Sequence, residues 1–466
     1  MTGPIYLTED IRRIEQAAGE VAPPLMERAG AAAAELAIEI VSEKSKDILV
    51  LAGPGNNGGD ARIVFRILKE KFFRAVLATR FDEIPVDKAW GLVVDGLFGI
   101  GLARPIDGDY ARLVDYANRQ ACPVLALDIP SGVHSDTGRL MGHAVCASHT
   151  ISFIALKPGL LTLDGPDHCG EVTVADLDLR VGDLLAPSAW VADKNLFKEV
   201  LRPRPRNFHK GTAGSLGILG GAAGMTGAAL LAGRAALKLG AGRVFVGLLE
   251  SSLTVDAMTP ELMLRHVDDV LGLDLDALVV GPGLGQGERA ETLVGAALSS
   301  DIPCVLDADA LNLLAANEDL RKACTRRRAD TLLTPHPGEA ASLSGKSIPE
   351  VQADRVATAR DLCRIFNAHV VLKGNGSTLA ARDGHWFINA SGNSGMASAG
   401  MGDVLAGMLG SLLAQRYPGE AALVLGTHLH GAAADDLVRL GAGPVGLTAG
   451  ELIDPARRIW NSWLRG

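Results

Sequence analysis

The sequence predicts an α/β protein built as two successive halves of strands, loops and helices. Three observations lead there. Short apolar runs alternate with longer stretches of helical spacing in both halves, as strands joined through crossover helices require. Nearly every one of those runs ends in a polar, glycine-bearing loop. Aromatic residues make up only 4% of the chain while glycine reaches 55 residues, a balance that favours many tight loops over a β-sandwich.

Length and charge set the bounds. At 466 residues the chain holds two or three domains, each large enough to bury a core, and its 48% apolar content is that of a folded globular protein. A net charge of −9 and a pI near 5.7 argue against nucleic acid or anionic membranes as principal partners. The basic run Arg326-Arg327-Arg328 reads as a solvated helix face or turn. Six scattered cysteines without a Cys-x-x-Cys pair suggest neither zinc nor a disulfide framework, so reduced thiols are the default. Met1 to Asp10 has no charged-then-apolar signal pattern, and the uncharged run Gly211 to Gly233 reads as strand, loop and helix instead of a membrane span. A cytoplasmic homo-oligomer is expected, with no membrane or nucleic-acid partner.

In the first half, Thr8 to Ala18 has a capping signal and helical spacing at Ile11, Ile14 and Ala18, and an alanine-rich helix follows from Leu25. Asp47 to Ala52 reads as a buried strand running into the turn Gly53-Pro-Gly-Asn-Asn-Gly-Gly-Asp60, with a helix predicted from Ala61 to Lys71. Strand, glycine-rich turn and helix form the context of a dinucleotide fingerprint, hence a Rossmann-like domain. The paired Asn56 and Asn57 before Asp60 are unusual in such a turn. They could hold a cation, a ribose or a carboxamide, or simply make Asx hydrogen bonds. Further strands at 75–79, 92–95 and 123–128 would bring Asn57, Asp95, Asp128 and Ser131 to one crevice. All four offer oxygen, so a metal there would be a hard alkali or alkaline-earth ion. Strands at 150–156 and 171–175 complete this half.

Between Asp193 and Lys210 the composition shifts to Lys, Arg and Pro, with Arg202-Pro-Arg-Pro-Arg206 reading as an extended linker. Domains of residues 1–200 and 201–466 follow from it. In the second half, strands at 215–219, 242–247, 277–280, 303–306, 331–334, 368–372 and 377–380 lead into the loops around Gly283, Asp307, His336 and Lys373. His336, set between two prolines, is read as a ligand contact, whereas His428 and His430 are read as structural. Ser398 to Gly410 is a glycine-rich turn running into an apolar helix with Asp403 at its mouth. Its free amides suit a phosphate. From this stretch alone, Asp403 as helix cap and Asp403 as proton acceptor are equally good readings.

Taken together, GPGNNGGD, VDGLFGIGL, LDIPSG and ALKPG resemble the NAD(P)H-hydrate epimerase domain over nearly all of residues 1–195. The resemblance implies substrate contacts at Asn56, Asn57, Gly58, Gly59 and Asp60, at Gly99, Ile100, Gly101, Leu102, Ala103, Arg104 and Pro105, and at Asp128, the acid–base group. It also implies K⁺ held by Asn57, Asp95 and Ser131. One departure is Ala61, where the family often has glycine; a φ above zero there would strain an alanine. The series HKG, GMTGA, GPGLG, LDADALN, LTPHPGE, LKGNGS and GMASAGMGDVLAG resembles ADP-dependent NAD(P)H-hydrate dehydratase, with a ribokinase-like fold, over roughly residues 205–465. This second resemblance implies substrate contacts at Ala228, a glycine of the Gly283/Gly285 loop, His336 and Asp403. Nucleotide contacts are implied at Lys373, Gly374, Asn375, Gly376, Ser377 and Gly402.

The reaction so implied is repair of hydrated NADH or NADPH. Asp403 would take a proton from the C6 hydroxyl as it attacks ADP, with Mg²⁺ at the phosphates, giving NAD(P)H, AMP and phosphate. The first half would interconvert the R and S hydrates. The rivals are a ribokinase-like small-molecule kinase, a first half that only binds, and a conventional NAD dehydrogenase.

Overall fold

Alternation along the strand Asp47–Ala52 sets the layering of the first half. Ile48, Val50 and Ala52 enter one hydrophobic cluster, Leu49 and Leu51 the other, because successive side chains of a strand point to opposite faces of the sheet. Leu92 and Val94 divide from Val93 in the same way, as do Leu125 and Leu127 from Val124 and Ala126. A strand covered on both faces has to be almost continuously apolar, which is how the sequence between 47 and 52 reads.

The computed structural model describes residues 2–41, 45–86, 88–250 and 253–465, in two units, Met1–Val191 and Ala192–Gly466. In the first unit a six-stranded parallel sheet runs in the order Ala75–Ala78, Asp47–Ala52, Trp90–Gly96, Val124–Leu127, His149–Phe153, Glu171–Ala175. Helices Leu25–Ile40 and Asn56–Glu70 cover one face and Gly108–Asn118 the other, a three-layer, Rossmann-like arrangement. The strand order reverses between Asp47–Ala52 and Trp90–Gly96, and the loops leaving these two strands part there to open a crevice.

One helix begins earlier than the sequence suggests. Asn56 to Asp60 form the first turn of Asn56–Glu70 instead of a loop ahead of it. Gly58 is required by proximity: an added Cβ would stand 1.9 Å from the Gly53 carbonyl oxygen. Ala61 therefore sits inside a helix with an ordinary negative φ, and the strain expected of an alanine there does not arise. Its methyl packs against Gly96, where a Cβ would come within 2.4 Å of it.

In the second unit parallel strands run in the order Met263–His266, Arg243–Leu248, Ser215–Gly220, Ala277–Val280, Cys304–Leu306, Thr331–Leu333, His369–Leu372. Ser377–Ala380 and Trp386–Asn389 then add as an antiparallel meander; the last of these strands is absent from the sequence reading. Helices Glu288–Ser299, Asp309–Ala316, Pro337–Ser344 and Arg355–Phe366 contribute to one core cluster. On the other face, Met401–Ala414 lies across Ala277–Val280 and Cys304–Leu306 and against Thr226–Lys238. Glycines allow that approach: a Cβ on Gly407 would stand 2.1 Å from the Ala232 carbonyl oxygen, and one on Gly410 2.3 Å from Val279. Gly407→Ala is expected to cost about 1–3 kcal/mol, because backbone cannot yield as a side chain can; chemical denaturation with an unchanged midpoint would contradict it.

Arg327 corrects the reading of the basic run. It is buried, donating to Thr331 Oγ1 and to the carbonyls of Ala297, Leu298, Ser300 and Ile302, so it closes the end of Glu288–Ser299. Among the described residues no helix is long and apolar enough to cross a membrane.

Candidate active sites

A cavity of about 510 Å³ opens at the crevice of the first unit. Its wall combines Ile11, Arg12 and Glu15 of helix Thr8–Ala18, Asn56, Asn57 and Asp60 of the first turns of Asn56–Glu70, the loop Gly99 to Leu102, and Asp128. Asp128 follows the strand Val124–Leu127 with a φ of 66°, a conformation few residues other than glycine adopt without strain. Its Oδ2 accepts the Ile100 amide at 3.2 Å and its Oδ1 accepts Lys157 Nζ at 2.6 Å. Lys157 is completely buried and donates also to Ser152 Oγ at 2.9 Å and to the Phe153 carbonyl at 2.7 Å. Burial, aided by the negative charges of Asp128 and Glu15, pushes the Asp60 carboxyl up to about 8, so it carries a proton at neutral pH. Glu15 is raised too, by burial and by Asp128, against the opposing pull of Lys157 and Arg12.

Beneath the loop, Asp95 is fully buried. Its Oδ1 accepts Ser131 Oγ at 2.7 Å and its Oδ2 accepts the Ser131 amide at 2.8 Å. Burial pushes Asp95 up to about 6, with these hydrogen bonds and that of the Leu97 amide acting the other way. Asn57 is buried as well, and among the described residues neither its Oδ1 nor its Nδ2 has a hydrogen-bond partner. A buried amide left unsatisfied costs roughly 1–3 kcal/mol, so a ligand for the carbonyl oxygen fits. Oxygens alone, from Asn57, Asp95 and Ser131, suit a hard cation such as K⁺.

Not every residue singled out from the sequence reaches this cavity. Asn56, Asn57, Asp60, Gly99, Ile100, Gly101, Leu102 and Asp128 line it. Gly58 packs under the turn, Gly59 meets Met26, and Ala103, Arg104 and Pro105 stay exposed off the wall. Sequence reasoning passed over Glu15 and Lys157. The second lies in ALKPG directly after an apolar strand, the position where an isolated lysine usually has a polar partner.

The second site gathers at the C-terminal ends of the parallel strands of the other unit. Gly400, with φ 87°, is the N-cap of Met401–Ala414, and Asp403, in the first turn, makes no hydrogen bond among the described residues. No side chain caps this helix, so the carboxylate is not used as a cap. Burial pushes Asp403 up to about 6, with Asp307 and Asp309 adding to the rise and Lys373 opposing it. Lys373 Nζ donates to the buried Asp307 Oδ1 at 2.9 Å and lies 3.9 Å from Glu339 Oε2. Burial works against the ammonium, but Asp307 and Glu339 outweigh it and hold the Lys373 pKa above its ordinary value. Gly402 keeps the approach open, since a Cβ there would lie 3.1 Å from Lys373 Nζ and 3.4 Å from Asp307 Oδ2.

Around this centre the loop Lys373 to Ser377 is tied by Ser377 Oγ, which donates to the Gly374 carbonyl at 3.0 Å and accepts its amide at 3.2 Å. Gly374 and Gly376 have φ of 149° and 61°, and Asn375 is exposed at the tip. His336 is the N-cap of Pro337–Ser344: its Nδ1 accepts the amides of Gly338 and Glu339, while Nε2 lies 3.4 Å from Glu339 Oε1. Ala228 adjoins Gly283, and the Gly285 amide donates to Asp309 Oδ2 at 2.8 Å. The loop at Asp307 is marked in the sequence, but Asp307, Asp309 and Glu339 are given no role there, although each lies in the segment that follows a buried strand, where an open α/β sheet places its ligands. His430 is buried and His428 stacks on Trp463.

Comparisons with known proteins place the chain in a family. Residues 216–454 match the family described as NAD(P)H-hydrate dehydratase, and residues 23–90 and 80–159 match the YjeF-related protein N-terminus. The bifunctional NAD(P)H-hydrate repair enzyme Nnr of Escherichia coli (strain K12) is 37% identical, covering 98% of this chain and 94% of its own. The ADP-dependent (S)-NAD(P)H-hydrate dehydratase of Neisseria meningitidis serogroup B is 45% identical over 58% of this chain and 90% of its own. Among solved structures, the ADP/ATP-dependent NAD(P)H-hydrate dehydratase of Bacillus subtilis, co-crystallised with ATP and Mg²⁺, superposes with a TM-score of 0.52 at 30% identity, over 59% of this chain and 98% of that one. A relative that aligns end to end and carries both matched regions leaves one classification: the chain belongs to the family of bifunctional NAD(P)H-hydrate repair enzymes.

Proposed function

We propose that residues 201–466 dehydrate the S form of hydrated NADH or NADPH at the expense of ADP, and that residues 1–200 interconvert the R and S hydrates. The observation that carries the first half of this reading is a carboxylate not used as a cap, Asp403, with a pKa of about 6, at the mouth of a glycine-capped helix beside Lys373. At neutral pH it is ionised and accepts the proton of the C6 hydroxyl as that oxygen attacks the terminal phosphorus of ADP. The helix amides and the ammonium of Lys373 stabilise the negative charge gathering on the transferring phosphoryl group. Phosphate then leaves C6 with the bonding electrons, the ring nitrogen supplies the pair that expels it, and a C5 proton is lost to restore the reduced nicotinamide. Mg²⁺ would ride on the nucleotide phosphates, needing only one or two protein oxygens, with Asp307 and Glu339 within reach of Lys373 as the available carboxylates; it supplies charge neutralisation.

Substrate in this reading meets Ala228, the Gly283/Gly285 loop and His336, while the nucleotide meets Lys373 to Ser377 and Gly402. In the first unit Asp128 takes the proton of the C6 hydroxyl as the C6–N bond opens to an aldehyde. The bonding pair passes to the ring nitrogen, which the protonated Asp60 on the same cavity wall can protonate. Reclosure of the nitrogen on the other face of the carbonyl, with the protons returned, gives the other epimer. K⁺ held by Asn57, Asp95 and Ser131 would order the loop above it; the partnerless Asn57 amide supports this assignment.

The test uses the full chain and a mixture of both hydrate epimers. With ADP, absorbance of reduced nicotinamide is expected to return until both epimers are consumed, with one phosphate and one AMP released per nicotinamide. A stable phosphorylated product without that absorbance would establish a small-molecule kinase instead. Consumption that halts once the S form is spent would remove the epimerase half of the reading.

A further inference from the structure

We propose that Lys157 is the positioning residue of the first unit's acid–base chemistry: its ammonium holds Asp128 by one carboxylate oxygen and leaves the other at the Gly99 to Leu102 loop, where the substrate's hydroxyl would meet it. This rests on the epimerase reading and adds a residue to it. The side chain is 0% exposed, and an ammonium so buried is tolerated only with full compensation. Compensation is complete: three N–H donors meet three oxygens, of Asp128, Ser152 and Phe153, at 2.6, 2.9 and 2.7 Å. With every donor engaged the lysine transfers no proton. It is a fixed charge.

Its placement selects among acids. Three carboxyl groups, Glu15, Asp60 and Asp128, line one cavity, with Arg12 on the same helix as Glu15. Among the described residues, Asp128 alone of the three has an ammonium in hydrogen-bond contact. Burial and mutual repulsion drive Asp60 up to about 8 and raise Glu15 as well. Environments that separate the protonation of neighbouring acids divide the roles of acid and base between them. Lys157 thus gives Asp128 a fixed counter-charge, and its rigid anchorage to Ser152 and the Phe153 carbonyl fixes which oxygen works. The left-handed backbone of Asp128, which aspartate tolerates, serves the same placement.

In the full chain, Lys157→Met is expected to lower kcat for epimerisation at least about 10²-fold while KM changes by less than about threefold. Ser152→Ala removes one acceptor of the ammonium and should lower kcat about tenfold, again with KM changed by less than about threefold. A cooperatively melting Lys157→Met with wild-type kcat would overturn the assignment. If that variant does not melt cooperatively, an unchanged kcat in Ser152→Ala overturns it. A wild-type chain that does not equilibrate the epimers removes the epimerase reading itself, which is a different result from a wild type that does so and is matched by its lysine variant.

Discussion

Asp403→Asn is expected to bind ADP as the wild type does and to dehydrate the S hydrate at least about 10²-fold more slowly, because general-base assistance is typically worth about 10²–10⁴-fold. Asparagine has nearly the same shape, and the helix loses no cap, since the Asp403 side chain does not cap it. What disappears is the ability to take a proton. The pH dependence gives an independent check. The base works ionised, and its pKa is raised to about 6, so the wild-type rate should be flat above that value and fall about tenfold per unit below it. Lys373 sets the direction of a second change. Its ammonium opposes the rise in Asp403, so Lys373→Met should move the limb to higher pH as well as weaken nucleotide binding. Dehydration by Asp403→Asn at wild-type rate would remove the carboxylate from the reaction.

The parts of the molecule legible in the sequence were those governed by local rules. Continuous apolar runs such as Asp47–Ala52 and Ala277–Val280 announced buried parallel strands, and the loops after them carried the polar residues that line both sites. The cap-or-base ambiguity at Asp403 was local too, but the features bearing on it were not. Gly400 takes the N-cap position in a left-handed conformation with no side-chain cap, and Asp307 and Asp309 arrive from another strand. Long-range pairing explains the other misses. Arg327 in a basic run gave no sign of the carbonyls it would meet from a helix end about thirty residues earlier. Nor could spacing show that Lys157 and Asp128 converge across 29 residues, or that Glu15 would join them from the first helix. The glycines of NNGGD were read as turn formers, whereas Gly58 is there for close approach within a helix that has already begun.

Asp128→Asn should separate the two activities of the chain. Epimerisation is expected to fall at least about 10²-fold, while dehydration of the pure S hydrate is unchanged, so a mixture of epimers would stop once its S form is spent. Asparagine is the informative replacement because, like aspartate, it tolerates a positive φ, so the 66° conformation persists. Alanine would add backbone strain of roughly 1–2 kcal/mol and confuse geometry with chemistry. The substitution also leaves Lys157 buried without its counter-charge, and breaking a buried pair by removing one partner typically costs about 3–5 kcal/mol. A lower melting temperature for the first unit is therefore expected together with the lost rate. The double variant Lys157→Met with Asp128→Asn distinguishes the two effects: with both charges gone, stability should recover while epimerisation stays lost. Recovery of the rate along with the stability would mean that Asp128 acts on the fold and that another group moves the proton.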